Sequence, residues 1–518
     1  MKNKILLGLL TFCLVFTALV ACTMGRDDSS TEETVENTVE ETTEEVTTDS
    51  DDSSDDILAD RPTIEFNHES LELESDYFSA SYVTAEVTSD GYSALKDGIK
   101  EAFTQLEVDF EATAAEYVEE CNTANEENEE YIWYYMYQKA TLARCDNNIV
   151  SIVIDESVDF GGAHGGDIYY TLIFDTKTGE QLNHLDMGIT VDEITSYVIN
   201  YLSSNEIFDE GLYEDYENTI IDMVADNQFS GTYYLDGQGL EIVFQEYDIA
   251  PYAAGVIKVL IPYSEFSSFK EEYLPTDEFY TVDLLDYWAD KSFDIDGDGQ
   301  EEEIGLSFIY DDSYEYYSDV ILTVGDEELS LMGLDYWHED YTGEYVHCNG
   351  YDYVFVHCYD ANDWETTIVC SITDGIGLTQ NLEGGVENIN PDGVVLSTRK
   401  DILGTWGVIR NYSFAADGDG IVADNEGDDC YTIVLSDDVD EEYNHITVAK
   451  EFTAKDGSTV EVGTKLYPLY TNGVDLIAFE DESGSLVEIT VEKPEDDYQW
   501  YIDGVSEYDI FENLPYAG

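Results

Sequence analysis

Apolar residues recur at Leu95, Ile99, Phe103, Leu106, Phe110 and Tyr117, a spacing of three to four that gathers them on one helical face. The pattern predicts an amphipathic helix near residues 91–119. Before it, "RPTIEFNHESLELESDYFSASYVTAEV" alternates as a half-buried strand does. After it come "YIWYYMYQKATLARC", "NNIVSIVIDESVDF" and "DIYYTLIFDTKTGEQL", rich in β-branched and aromatic residues, the last closed by a turn from Asp175 to Gly179. A second helix is expected at about 191–202 and a third from Tyr213. The strands "GTYYLDGQGLEIVFQEY" and "GVIKVLIPYSEF" follow. Beyond Pro275 the helical period disappears, and short strands punctuated by Gly, Asp and Asn run to the C-terminus, with a hairpin at Cys348-Asn349-Gly350-Tyr351. The expected fold class is an α+β N-terminal body, helices packed on antiparallel sheets, followed by all-β C-terminal domains.

One connection stands apart from its acidic surroundings. In "QEYDIAPYAAG" (245–255), Pro251 fixes its own φ and drives Ala250 extended, so a non-helical link between strands is expected. Ala253, Ala254 and Gly255 leave little bulk, which suits a backbone packed beneath the rings of Tyr247 and Tyr252.

The N-terminus reads as an address. Lys2 and Lys4 precede the apolar run "ILLGLLTFCLVFTALVA", and Leu19-Val20-Ala21-Cys22 resembles the lipobox of bacterial lipoproteins. That resemblance implies that Cys22 is lipid-modified, with palmitate-type chains, and holds the protein on the outer face of a Gram-positive-type cell membrane. Residues 23–60 are acidic, lack aromatics and read as a disordered tether. The expected domains are then 61–190, 191–275, 276–400 and 401–518, the last a small all-β unit of SH3-like or sandwich type. The six cysteines beyond the signal permit disulfides in an exported chain, with Cys121–Cys145 the favoured pair.

Charge narrows the partners. The 518 residues carry a net charge of −98, which repels nucleic acid and anionic lipid and attracts cations, metal ions and basic proteins. Against that background, "YDIAPYAAG" followed by "IPYSEF" resembles the signature of the C-terminal extracellular module of RsiV-type anti-sigma factors. "FGGAHGGDIYYTLIFDTKTGEQL" resembles the module before it, and the same pair accompanies the peptidoglycan deacetylase PdaC. The resemblance spans about residues 61–275. It implies a receptor for lysozyme, with Tyr247, Asp248 and Tyr252 of one motif and His164 of the other as candidate ligand-binding residues. The chain has neither a sigma-binding segment nor a deacetylase domain.

Other chemistry is sparse. "FDIDGDGQEEEI" sets Asp294, Asp296, Asp298, Gln300 and Glu302 on a short loop, the hard oxygen donors Ca²⁺ takes. Position twelve is Gly305 and a strand follows, so the loop is not an EF-hand but a β-type calcium loop. The other reading is an acidic turn without an ion. His164, in Gly161-Gly-Ala-His-Gly-Gly166, is either a loop-borne base or metal ligand, or a turn residue bonding to backbone, and the second reading is preferred. The repeat of Val-His-Cys in "YVHCNGYDYVFVHC" does not suit zinc, since adjacent strand residues point to opposite faces. The aromatic run "YIWYYMYQ" has rings on both strand faces and reads either as core throughout or as half core and half a sugar- or protein-binding surface, the first reading being preferred. No nucleophile elbow or phosphate loop occurs. The expected protein is a non-catalytic surface lipoprotein binding a basic protein such as lysozyme, or peptidoglycan. Its alternatives are a cell-wall-modifying enzyme with its site around His164, and a calcium-stiffened structural spacer.

Overall fold

Helix α1 (Ser93–Glu127) carries the predicted stripe: Leu95, Ile99, Phe103, Leu106 and Phe110 are all buried, and Ala114 and Cys121 extend it. The computed structural model describes residues 61–127, 131–205, 208, 211–225, 232–276, 279–285, 291–295, 300–311, 316–331, 338–360, 365–373, 375–424, 430–435, 444–494 and 498–516. The expected signal, Cys22 and acidic tether lie outside them. α1 runs past residue 119 because Asn125 anchors its end: Nδ2 donates to Ile132 O at 2.8 Å and Oδ1 accepts from Ile132 N at 2.7 Å.

α1 is the crossover between β2 (Phe78–Val87) and β3 (Tyr134–Cys145), which pair in parallel from Phe78↔Tyr134. β1 (Ile64–Ser70) edges β2, while β4 (Ile149–Asp159) and β5 (Gly166–Asp175) follow β3 antiparallel. The turn after β5 sits against α1 through two glycines. A Cβ on Gly98 would lie 2.1 Å from Gly179 O, and Gly179 holds φ +70°.

The other face of β3–β5 is half covered. Over it lies a small antiparallel sheet of β6 (Tyr233–Leu235), β7 (Gly239–Phe244) and β8 (Ile257–Pro262), backed by α2 (Val191–Ser204) and α3 (Tyr216–Ala225). α2 begins with a capping box in which Thr190 and Glu193 satisfy each other's backbone. Leu240, Ile242 and Phe244 of β7 pack toward Ile194, Val198 and Ile220 of the helices. Val243 turns the other way, toward Ala143 and Val153.

Strand β9 (Phe279–Asp283) carries the same sheet onward, touching β3 at Arg144↔Tyr280 and pairing along β14 (His338–Cys348). The β region continues through β10 (Ser292–Phe293), β11 (Glu302–Asp311), β12 (Tyr316–Val324), β13 (Glu327–Ser330), β15 (Tyr351–Asp360), β16 (Glu365–Ser371) and β17 (Thr379–Glu383). The hairpin at Asn349-Gly350 forms, both residues at positive φ (55° and 79°). A second sheet starts with β18 (Gly385–Asn390), β19 (Gly393–Asp401) and β20 (Thr405–Phe414). Its later strands include Lys465–Thr471, Leu476–Asp481 and Leu486–Thr490. The chain is thus an α+β region followed by β-rich structure, and among the described residues no helix is long and apolar enough to cross a membrane.

One hydrophobic cluster links these parts, from Phe103 of α1 through Leu142 of β3 and Phe355 of β15 to Ile389 and Tyr412 of the second sheet. The first described residues are sewn into it. Arg61 donates to Asn349 Oδ1 (2.8 Å) and Pro391 O (2.7 Å), and Thr63 bonds to Asp392.

The expected Cys121–Cys145 disulfide does not form. Cys121 lies among Phe110, Tyr134 and Met136 near the end of α1, whereas Cys145 ends β3 in a separate cluster, its thiol on Pro62 O at 3.2 Å. Among the described residues no two cysteines lie at disulfide-bonding distance.

A single cation fixes the layers together. The Arg144 side chain is buried with Asp146, Nη2 to Oδ2 at 2.6 Å and Nε to Oδ2 at 2.7 Å. Its Nη1 donates to Tyr263 Oη and Tyr273 O, each at 2.9 Å, just beyond β8. Asp146 Oδ1 in turn caps Asn148 N and Ile149 N at 2.8 Å. Removing one member of such a pair strands the other charge in the interior, at about 3–5 kcal/mol. Arg144→Met should therefore lower the unfolding free energy by about that much in urea titrations. The Arg144→Met/Asp146→Asn double variant should recover part of the loss. Equal stability of Arg144→Met and wild type would remove Arg144 from this role.

Candidate functional site

The two motif segments, far apart in sequence, meet at one place. The 160–165 loop joins β4 to β5, and its glycines let it lie flat: a Cβ on Gly161 would fall 2.6 Å from the Tyr134 ring, and one on Gly165 2.8 Å from Val158 O. This projects His164 toward the crossover between β7 and β8. The imidazole stacks on Tyr252, ring centroids 3.6 Å apart at 22°, and its Nε2 lies 3.2 Å from Tyr247 Oη. Nδ1 sits 2.7 Å from Gly165 O, so it carries the proton in the neutral ring, and Nε2 accepts from the Tyr247 phenol. Both ring nitrogens are engaged, which leaves the imidazole presenting a flat, stacked surface.

The crossover is rigid for reasons written in its own residues. Gln245 lays its side chain along the edge of β5, accepting from Tyr169 N (3.0 Å) and donating to Tyr169 O (2.8 Å). Asp248 closes the turn, its Oδ2 accepting from Gln245 N at 2.8 Å. Tyr247 takes φ 70° in the middle of it, half exposed. Pro251 is extended (φ −66°, ψ 158°), as expected. The expectation of a wholly non-helical link is corrected, however: Pro251 caps one turn of 3₁₀ helix, Tyr252–Ala254, whose residues after the proline are free to tighten. Ile249 and Ala250 are buried beneath.

Acidic groups surround the rings. Burial, then the neighbouring Asp167, pushes the Glu246 carboxyl up, while His164 pulls it down. Burial followed by Glu246 and Asp167 raises the Tyr252 phenol. Burial also pushes Asp248 up to about 6, but that carboxylate points into the turn. His164, Tyr247 and Tyr252 thus form the surface of the site, and Asp248 supports it from below. Sequence reasoning placed Asp159 and Asp167 near His164 but missed Glu246, whose only signal was its position next to Tyr247.

The aromatic run "YIWYYMYQ" is split between two environments, which corrects the preference for core throughout in favour of the half-core alternative. Tyr134, Met136 and Gln138 are buried toward α1, Tyr137 is exposed on the opposite face, and Tyr131 and Trp133 are exposed just before the strand. The reason is the two-residue period of β3 together with the limited reach of the β6–β8 sheet, which covers that face only at Ala143.

The remaining candidates are dispersed. Asp296 and Asp298 of the calcium loop lie outside the described residues. Phe293 pairs with Glu302, so the loop spans a β-hairpin, and Glu302 Oε2 accepts from Ile295 N at 3.0 Å. Hard carboxylate and amide oxygens at both ends of such a loop fit Ca²⁺. Among the described residues no group of three or more His, Cys, Asp or Glu is placed to hold a metal. His347 bonds to Asp352 (2.7 Å) and His357 faces Glu365 (3.4 Å), with Cys348 and Cys358 in different cores.

Residues 190–264 match a family model described as a protein of unknown function, DUF3298. The match covers α2, α3, β6–β8 and the crossover with Tyr247 and Tyr252. Two solved structures are similar. One is a DUF3298 family member from Bacteroides fragilis, 18% identical with a TM-score of 0.31, covering 40% of this chain and 94% of that one. The other is a DUF3298 family protein from Pseudomonas aeruginosa, 16% identical with a TM-score of 0.29, covering 43% and 99%. No curated protein matches the chain.

Two outcomes follow. The Asp248 carboxyl, raised from 3.8 to about 6 in the fold, binds its proton more tightly folded than unfolded, so its contribution to stability is present below pH 3.8 and lost as pH rises through about 6. Asp248→Asn, which keeps the acceptor for Gln245 N, should flatten that decline by up to about 2 kcal/mol in urea titrations across the window. If Ca²⁺ occupies the 294–302 loop, millimolar Ca²⁺ should raise the melting midpoint relative to EDTA, and Asp294→Ala should abolish the difference.

Proposed function

We propose that the chain is a non-catalytic, lipid-anchored cell-surface receptor whose folded body binds a basic protein, lysozyme being the named candidate. The observation that carries this reading is the convergence of His164 with Tyr247 and Tyr252, 83 positions apart for the bonded pair, into an exposed aromatic surface edged by Glu246 and Asp167. Aromatic faces beside carboxylates suit lysine and arginine side chains, which gain both a π face and an opposite charge. The net charge of −98 adds long-range steering toward such a partner. The resemblance of both motifs to the extracellular modules of RsiV-type receptors supports the same assignment, as does the DUF3298 match over the second module.

The site carries a binding geometry. With Nδ1 on a carbonyl and Nε2 on a phenol, His164 has its bonding capacity spent on holding Tyr247 and the loop together. Full-length protein should bind lysozyme at low ionic strength, more weakly as salt screens the field. Tyr252→Ala should weaken binding by about tenfold or more, as loss of a central aromatic contact does. Calorimetric titration at several salt concentrations reads both. Absence of binding at low salt ends the proposal.

A further inference from the structure

The exposed face of β3 extends the site beyond the two motif loops. Tyr135 and Tyr137 project from alternate positions on this face, Tyr137 43% exposed, and Trp133, 61% exposed, stands just before the strand begins. Tyr135 and Tyr137 stack nearly parallel, 9° apart with centroids separated by 5.6 Å. Trp133 meets Tyr77 edge-on at 5.6 Å, and Tyr77 stacks on Tyr131 at 4.8 Å. The rings are therefore held in place although solvent covers them.

Carboxylates stand beside them in register. Asp159 lies opposite Tyr135, Ser157 opposite Tyr137, and Asp167 opposite Ser157. Asp159 Oδ1 accepts from Gly161 N at 2.8 Å, and Asp167 Oδ1 from Ser157 Oγ at 2.7 Å, which fixes both groups. A Cβ on Gly165 would lie 3.2 Å from Tyr135 Oη, so the ledge is continuous with the His164 loop.

We infer that the β3 ledge of Trp133, Tyr135 and Tyr137, with Asp159 and Asp167, is an arginine-selective docking surface for an extended segment of a basic protein. The inference rests on the receptor reading above and names the side chain that it recognises. Charge complementarity selects a cationic occupant, and a second copy of a −98 chain is repelled. Between cations, the flat rings favour guanidinium: it is planar, weakly hydrated, stacks on aromatic faces and forks toward carboxylates, whereas ammonium stays strongly hydrated.

The test titrates full-length protein with hexa-arginine, hexa-lysine and chitohexaose, and with lysozyme in parallel. Variants are Trp133→Ala and Tyr137→Ala, both at exposed positions, with unchanged melting as the control for folding. Hexa-arginine should bind about two- to fivefold more tightly than hexa-lysine, and each variant should lose most of that preference. Equal affinity for the two peptides, or variants that bind hexa-arginine as wild type does, overturns the inference. So does tighter binding of chitohexaose that both variants abolish, which would make the ledge a sugar surface. If lysozyme binding falls in Tyr252→Ala but not in the ledge variants, the receptor reading stands and this one falls. If wild type binds neither lysozyme nor hexa-arginine, both fall.

Discussion

The architecture turns on Arg144. A guanidinium with 1% of its side chain exposed would be prohibitive in an apolar interior, and here it is met by a carboxylate, a phenol and a carbonyl from three separate segments. Because those partners belong to the β3–β4 turn, the residues after β8 and the approach to β9, one side chain ties the long sheet to the small α/β layer, helped by Lys258 of β8, which reaches Asp283 of β9. Tyr263 relays the constraint, donating to Asp236 O at 2.7 Å in the β6–β7 turn. Where the layers meet determines where the β6–β8 sheet stops, and hence which part of β3 stays uncovered.

The functional surface is a by-product of that offset. At Ala143 the facing sheet seals β3, while from Tyr137 back to Tyr131 nothing seals it among the described residues. The crossover after β7 overhangs the boundary, pinned to the edge of β5 by Gln245, and brings Tyr247 and Tyr252 to the loop that holds His164. Rigid anchoring of both loops means the rings pay little ordering entropy when a partner arrives. In the proposed receptor, the acidic surroundings would supply attraction and the rings selectivity.

Much of the fold was legible because the apolar period changes from near four in α1 to two in the strands. The α1 stripe, the Asn349-Gly350 hairpin and the turn to Gly179 all follow from local chemistry. What escaped the sequence depends on distant contacts. Asn125 lengthens α1 by bonding to Ile132, which no periodicity reveals. The exposed half of "YIWYYMYQ" depends on where another sheet ends. Cys121 and Cys145 were separable only once α1 and β3 were placed. The small residues of the 245–255 stretch and the glycines around His164 stood out in an acidic chain, and Asp167 was visible beside His164, yet Glu246 was lost among 117 acidic residues.

The clamp made by Arg61 has a consequence for how the molecule assembles. Its partners at Asn349 and Pro391 lie 288 and 330 positions downstream, and the cluster containing Ile64 also includes Ile421. Synthesis runs from the N-terminus, so the Arg61 bonds cannot close until most of the polypeptide has been made, although β1 can pair with β2 early. Contacts of such long sequence separation slow maturation, since large loops must close before they are rewarded. The Arg61 clamp is thus among the last contacts to form, and a chain ending before Pro391 would leave it incomplete.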